Sequence, residues 1–312
     1  MNLNHSRIFA YFELAIASIL VGSSVVVGKI TTMQMPVFLS QTISLSVALL
    51  LLIPILLLKS GGPILVGRKD LFVLLLQAFL GMFMFRVLML YGLRTAHAAE
   101  AGIVTSLTPA IVAFLSVIFL KELLTIRLKI GILCSLLGIL SMQVPGWLLP
   151  SSEIQPQGLY IGLLLLLGAV SGEAMLTILR KMTTSNVSSL LGTTYVTLFS
   201  FLMFLPFSFA EALTYDFGQL SLEDIGLLLY YGIFVTAIAY ILWFRGVSKV
   251  SAATAAVYTS CIPVSTLLLS YAVLHEPFSW THVAGGAFVF LGIWQVSRST
   301  KDDGVQRSNS LF

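Results

Sequence analysis

Residues 105–122 read TSLTPAIVAFLSVIFLKE, and residues 259–276 read TSCIPVSTLLLSYAVLHE. At one offset of 154, Thr105 and Ser106 meet Thr259 and Ser260, Pro109 meets Pro263, Leu115 and Ser116 meet Leu269 and Ser270, and Glu122 meets Glu276. Working outward, the same offset pairs Gly92 with Gly246, Ala98 and Ala99 with Ala252 and Ala253, Gly131 with Gly285, and Gly138 and Ile139 with Gly292 and Ile293. The register holds without a gap from Gly92 to Ile139. Leucines coincide cheaply in apolar segments, but prolines, glycines and a glutamate in one register do not. The chain is one unit used twice.

The surroundings of that unit are apolar. Of 312 residues, 58% are hydrophobic and 10% charged, against roughly 25% charged in an ordinary soluble domain. A mean hydropathy of +1.00 makes lipid the solvent for most of the chain. That composition excludes a cytosolic enzyme, a disulfide scaffold and a disordered or collagen-like chain. A net charge of +4 with no run of five basic residues leaves no nucleic-acid partner. Cys134 and Cys261 lie inside apolar stretches of different halves, where a free thiol behaves as a small hydrophobe. No metal cage and no cofactor are implied. GxxxxGK[ST], HExxH, CxxC and GxSxG are all absent, and His5, His97, His275 and His282 are scattered toward membrane ends, so neither an ATPase nor an intramembrane enzyme is expected.

A bilayer core takes about 20 helical residues to cross. The uncharged runs predict an all-α integral membrane protein of ten transmembrane helices, at approximately 9–30, 36–58, 71–92, 96–120, 127–147, 157–180, 188–210, 222–245, 251–274 and 279–297. The N-terminal stretch lacks a convincing small-x-small cleavage site, so the first helix reads as retained. With the N-terminus cytoplasmic, 14 of the 17 basic residues fall on inner segments, Lys29 and Arg94 fall outside, and Arg86 alone lies within a span. That asymmetry satisfies the positive-inside rule and places both termini in the cytoplasm.

Five spans per unit is an odd number, so the second copy must enter the membrane from the opposite side. The expected organisation is therefore two inverted five-helix repeats, residues 1–150 and 151–300, with a cytoplasmic tail at 301–312. The boundary falls in the proline-rich loop from Pro145 to Pro156. Inverted repeats characterise secondary transporters, in which one sequence packed in two conformations opens a midplane site to alternate sides.

Leu107-Thr108-Pro109 ahead of Lys121-Glu122, its echo Cys261-Ile262-Pro263 ahead of His275-Glu276, and Gly22-Ser23-Ser24 in the first helix resemble the EamA-type branch of the drug/metabolite transporter superfamily. The resemblance covers about residues 9 to 297. It implies a helical basket around a central cavity lined by helices one, three, four, six, eight and nine, with five and ten peripheral. It also implies export or exchange of small metabolites across a cytoplasmic (inner) membrane. Members of that family often carry tryptophan ahead of the small residues of the first and sixth helices, where this chain has Val21 and Gly172.

Intramembrane polar residues supply the candidate site. A guanidinium within a span costs at least about 2.5 to 3.5 kcal/mol on insertion scales, so Arg86 needs an anionic partner. At 1.5 Å rise per residue, Arg86 lies about 9 Å and Glu100 about 6 Å below the outer surface. The two are expected to pair, or a substrate carboxylate or phosphate displaces Glu100; a structural ion pair or a snorkelling arginine is the alternative. Glu173 and Glu13 sit near the inner third of their helices and are candidate proton-coupling groups, since a carboxyl in low dielectric can bind and release a proton. Glu13 also reads as an interface-exposed residue. Ser23, Ser24, Tyr240, Trp243 and Tyr258 are further candidates for substrate contact, and Tyr240 occupies in the second unit the slot of Arg86.

Pro109 and Pro263 each remove a mid-helix backbone bond and are expected to hinge or shape the cavity. Glu122 and Glu276 precede Thr125 and Ser279, candidate N-caps, and read as fold maintenance. Gly131, Gly138, Gly285, Gly286 and Gly292 put small residues on helices five and ten, suited to close packing within the chain or in a homodimer. The expected partners are a small-molecule substrate, the lipid bilayer, a coupled proton and a second copy. The function these readings favour is secondary active transport of an amino acid or derivative; a passive facilitator, or an exporter of drugs or nucleotide precursors, is the alternative.

Overall fold

The computed structural model describes residues 3–59, 65–95, 104, 107–148, 156–273 and 280–309. Among these, every regular element is helical. In hydrocarbon no water is available to the backbone, so an apolar run must satisfy its peptide groups within its own helix. The first half comprises α1 (Leu3–Gln34), α2 (Val37–Lys59), α3 (Arg68–Ala78), α4 (Phe85–Thr95), α5 (Thr108–Leu120) and α6 (Ile126–Leu148). The second comprises α7 (Pro156–Met182), α8 (Ser189–Ala212), α9 (Leu222–Tyr230), α10 (Ala239–Lys249), α11 (Ala252–Tyr258), α12 (Cys261–Val273) and α13 (Trp280–Asn309). A π-helical turn at Phe79–Met84 joins α3 to α4, and another at Tyr231–Ile238 joins α9 to α10.

The duplication extends to these irregularities. α3 and α4 begin at Arg68 and Phe85, and α9 and α10 begin at Leu222 and Ala239, both pairs separated by the offset of 154. The π turns end at Met84 and Ile238, again 154 apart. Since π turns are rare and gather at functional sites, two in equivalent places are a shared structural device.

Among the described residues, seven helical stretches are long and apolar enough to cross a membrane: Arg7–Gly28, Val37–Lys59, Arg68–Met89, Tyr160–Met182, Ser189–Ala212, Leu222–Lys249 and Ala252–Val273, with Thr108–Leu120 a shorter apolar helix. Leu58, Phe114, Leu164, Phe209 and Phe290 turn outward, as side chains facing acyl tails rather than water should. This is a multi-pass membrane protein.

The helices pair across the two halves: α6 with α13, α2 with α8, α4 with α7, and α1 with both α10 and α12. Glycines allow the closest approaches. A Cβ on Gly138 would lie 2.7 Å from the Gly285 carbonyl oxygen, and one on Gly131 would lie 3.1 Å from that of Gly292. Residue numbers rise along α6 as they fall along α13, so the two run antiparallel, and their small residues are consumed by packing within one chain. The halves reciprocate elsewhere: a Cβ on Gly92 would meet Leu166 Cγ at 2.7 Å, and one on Gly246 would meet Leu14 Cγ at 2.6 Å.

Several sequence expectations change. Pro109 is not in mid-helix but in the first turn of α5, where proline loses no helical bond. Pro263 is the third residue of α12, following a break at Thr259 and Ser260 that divides α11 from α12. α1 begins at Leu3 and α13 continues to Asn309, so the segment expected as a tail is helical through that residue. Thr125 does serve α6: its hydroxyl accepts from the Leu128 N–H at 3.3 Å.

Candidate substrate cavity

A cavity lies where the two halves meet, leaving about 80 Å³ to the centres of water-sized molecules. Its walls come from α1, the first π turn with α4, α5, α7, the second π turn with α10, and the break between α11 and α12. Those are the six segments that the family resemblance implies; among the described residues, no lining residue comes from α2, α6, α8 or α13.

Lining residues occur as equivalent pairs. At the offset of 154, Arg86 pairs with Tyr240, Phe85 with Ala239, Gly81 with Val235, and Thr108 with Ile262, and all eight face the cavity. In α1 and α7 the offset is 152, because Gly246 packs on Leu14 as Gly92 packs on Leu166; Val21 then pairs with Glu173 and Ser24 with Leu176, again all lining residues. The cavity is therefore lined by corresponding positions of the two halves.

Its chemistry is not symmetric. Arg86 follows the first π turn by two residues; an extra residue in a helical turn rotates the face that comes after it. The guanidinium donates from Nη1 to the Gln41 side-chain oxygen, and its Cζ lies 5.4 Å from the centroid of the Tyr231 ring. A cation over an aromatic face is attracted by the ring's quadrupole. Among the described residues, no carboxylate lies within ion-pair distance of Arg86. Glu100, its expected partner, lies outside the described residues.

Glu173 lines the same cavity, and Thr108 Oγ1, at the start of α5, donates toward its Oε2 at 3.4 Å. Tyr240 lies within electrostatic reach of both Arg86 and Glu173. A guanidinium, a carboxyl group, a phenol within reach of both and the Trp243 ring thus line one cavity. Such a space can hold a small solute carrying both apolar surface and charge.

The remaining candidates separate. Ser24 lines the cavity, whereas Ser23 turns to the Tyr230 hydroxyl at 2.8 Å. Tyr258 stacks on Tyr11 with centroids 5.5 Å apart and is not a lining residue. Glu13 is not interface-exposed: its side chain is 8% accessible and pairs with Arg245 at 3.0 Å and Lys249 at 2.8 Å, outside the cavity. Pro109 and Pro263 do not line the cavity, but their neighbours Thr108 and Ile262 do. Sequence reasoning missed Gln41, Tyr231, Thr108 and Thr177. Tyr231 could have been found from its place in a segment equivalent to the one before Arg86; nothing local distinguishes Gln41. Gly172, standing where relatives often have tryptophan, has no room for one: a Cβ there would lie 2.5 Å from the Leu80 carbonyl oxygen.

Comparison with known proteins agrees with this architecture. The family described as the EamA-like transporter family matches residues 8–143 and 160–298, once for each half. The chain belongs to the EamA-like transporter family. A Bacillus subtilis (strain 168) protein named as an uncharacterized transporter, YetK, is 40% identical over 286 residues, covering 91% of this chain and 86% of its own. An uncharacterized transporter of Archaeoglobus fulgidus is 29% identical over 230 residues, covering 74% of this chain and 79% of its own. A crystal structure covers 95% of this chain and 99% of its own with a TM-score of 0.78 at 18% identity, a likeness of fold. The EamA-type chain is a multi-pass membrane transporter, in keeping with a sequence that carries no catalytic motif.

Proposed function

We propose that the protein is a secondary active carrier that exports or exchanges a small metabolite, an amino acid or derivative favoured, across the cytoplasmic membrane by alternating access. In this reading the chain forms ten spans as two inverted repeats with both termini cytoplasmic. The positive-inside distribution and the reciprocal pairing of helices across the halves support that arrangement.

The observation that carries the reading is the cavity built from equivalent positions of both halves and holding Arg86 and Glu173. A site on the axis relating two copies can be reached from either side when the copies exchange conformations. Arg86 would hold an acidic group of the cargo, Tyr231, Tyr240 and Trp243 its apolar surface, and Glu173 the coupled proton. A buried apolar layer of Val112, Ala174, Ile178, Ala252 and Ala256 adjoins the cavity, which suits a carrier better than an open pore.

The test is counterflow in proteoliposomes loaded with solutes chosen by a thermal-shift screen of amino acids, nucleosides and organic cations. A carrier gives saturable uptake accelerated by substrate on the far side. Non-saturating flux indifferent to the trans solute would assign a facilitated pore instead, and no flux for any ligand that stabilises the protein would refute transport through this cavity.

A further inference from the structure

A second space lies apart from the central cavity, lined where the apolar stretches stop. Arg7 opens the first of those stretches, Lys181 is the penultimate residue of Tyr160–Met182, Lys249 closes Leu222–Lys249, and Ser251 stands just before Ala252–Val273. Four stretches thus end around one space, which puts it at the depth of lipid headgroups rather than of acyl tails. It leaves about 290 Å³ to the centres of water-sized molecules, against about 80 Å³ in the central cavity. Its charge has one sign: cations from α1, α7 and α10 line it together with hydroxyls that include those of Ser251 and Thr254, and among the described residues no carboxylate does.

The neighbouring charges are already engaged. Arg180, one residue before Lys181, is buried and donates to the Thr183, Ser189 and Ser248 hydroxyls and to the Val187 carbonyl. Glu13 holds Arg245 at 3.0 Å and takes one of the three Lys249 donors at 2.8 Å. Glu122 accepts from the Ala252 N–H at 2.9 Å and the Ala253 N–H at 3.3 Å. Lys181 differs. It lies within the field of Glu122, yet among the described residues its ammonium makes no hydrogen bond and no ion pair. A half-buried cation without a partner leaves three donors for whatever enters the space. Thr254 adds one more: its buried hydroxyl accepts from that of Ser251 at 2.7 Å, and among the described residues its own proton has no acceptor.

Ammonium, guanidinium and hydroxyl donors converging without a competing carboxylate suit a phosphate group, which offers several charged acceptor oxygens at once. The rim decides where that phosphate comes from. Leu123 lines the space and is 92% exposed, and Ile126 beside it is 70% exposed, so apolar surface runs from the basic space onto the face that meets acyl tails. A soluble anion has no use for that surface, whereas an amphiphile covers it. We propose that the space binds the headgroup of an anionic phospholipid, with Arg7, Lys181 and Lys249 around the phosphate and Thr254 as a further donor. The bound lipid joins α1, α7 and α10 at one end of the bundle. This site is separate from the central cavity and does not depend on what that cavity carries.

The test is titration of the full-length protein in neutral detergent with dioctanoyl phosphatidylglycerol, with phosphatidylcholine of the same chain length and with inorganic phosphate, read by native mass spectrometry and thermal shift. Phosphatidylglycerol is expected to bind about tenfold more tightly than phosphatidylcholine, and inorganic phosphate at equal concentration to leave it in place. Lys181→Gln should weaken phosphatidylglycerol about tenfold, the scale of one charge-assisted hydrogen bond, and leave phosphatidylcholine unchanged. Lys181→Arg, which keeps the charge and the donors, should bind as the wild type does. Lys59→Gln removes an exposed cation from the end of α2, outside the space, and should change nothing.

Three results overturn the proposal. Wild-type affinity in Lys181→Gln removes the ligand from this space. Equal weakening by Lys59→Gln reduces the effect to diffuse attraction between a basic surface and an anionic lipid. Inorganic phosphate that binds as tightly as phosphatidylglycerol, or displaces it, makes this a site for a soluble anion. Thr254→Val supplies a second route should Lys181→Gln melt early in detergent alone. It keeps the side-chain shape and deletes one donor, and should weaken phosphatidylglycerol about threefold, the scale of a neutral hydrogen bond; unchanged affinity there likewise overturns the assignment.

Discussion

Positions 86 and 240 occupy the same place in the two halves, each two residues past a π turn and each facing the central cavity. One carries a permanent positive charge and the other a phenol. The same departure recurs around the walls: Glu173 stands opposite Val21, Thr108 opposite Ile262, and Ser24 opposite Leu176. In every such pair the backbone geometry is kept while one side chain is the more polar. At the periphery the opposite holds, since Gly138 and Gly292 remain glycine in both halves and are needed there for close packing of α6 on α13. The contrast separates two demands. Under the proposed carrier mechanism, alternating access asks the halves to be alike in shape, and recognition of an asymmetric cargo asks them to differ in charge.

The strongest way to break that comparison is to remove its charged member. Arg86→Ala should weaken binding of an acidic cargo about a hundredfold, the scale for truncating one partner of a buried charged contact, read as Kd by isothermal titration and as KM in counterflow. The double exchange Arg86→Tyr with Tyr240→Arg sharpens it. If the two slots are equivalent approaches to one site, the swapped protein should bind more tightly than Arg86→Tyr alone. Equal weakness in both would place Arg86 at a site that Tyr240 does not share.

Glu173 tests the second asymmetry. Glu173→Gln keeps the acceptor for Thr108 and removes the titrating group, so proton-driven accumulation should fall by about tenfold while substrate exchange, which needs no net proton movement, persists. The readout is uptake with and without an imposed pH gradient in the same vesicles. Loss of both modes together would make Glu173 a substrate contact, and retention of both would leave the coupled proton elsewhere.

The sequence makes some of this legible and hides the rest for identifiable reasons. Duplication, the apolar helices and the place of Arg86 among the buried polar groups are visible because rare residues in register, uncharged runs and a charge inside an apolar run each carry a large energetic signature. That Tyr240 shares the slot of Arg86 is visible by offset alone. Glu122 reads as fold maintenance, but its partners are not legible, because the Ala252 and Ala253 N–H groups it accepts from lie 130 and 131 residues away across the halves. Pro109 and Pro263 are misread because an apolar run shows no sign that its helix restarts beside them. Glu13 looks exposed by depth, but Arg245 and Lys249 come to it from another helix, a juxtaposition that no local pattern encodes.

The smallest effects probe the parts that stayed alike. Gly138 has the Gly285 carbonyl oxygen at 2.7 Å and the Val289 backbone nitrogen at 2.9 Å from where a Cβ would stand. Backbone cannot retreat without moving α13, so Gly138→Ala should destabilise by about 1–3 kcal/mol, the usual cost of overpacking. Gly226, in α9, has nothing within 4 Å of its Cβ position, and Gly226→Ala should stabilise by about 0.5–1 kcal/mol through helix propensity alone. Thermal unfolding of the purified variants reads both, with opposite signs expected. Should Gly138→Ala melt at the wild-type temperature, α6 and α13 could separate without penalty. Identical glycines in the two halves would then reflect shared origin rather than a packing requirement, and the division between a symmetric frame and an asymmetric cavity would rest on the cavity residues alone.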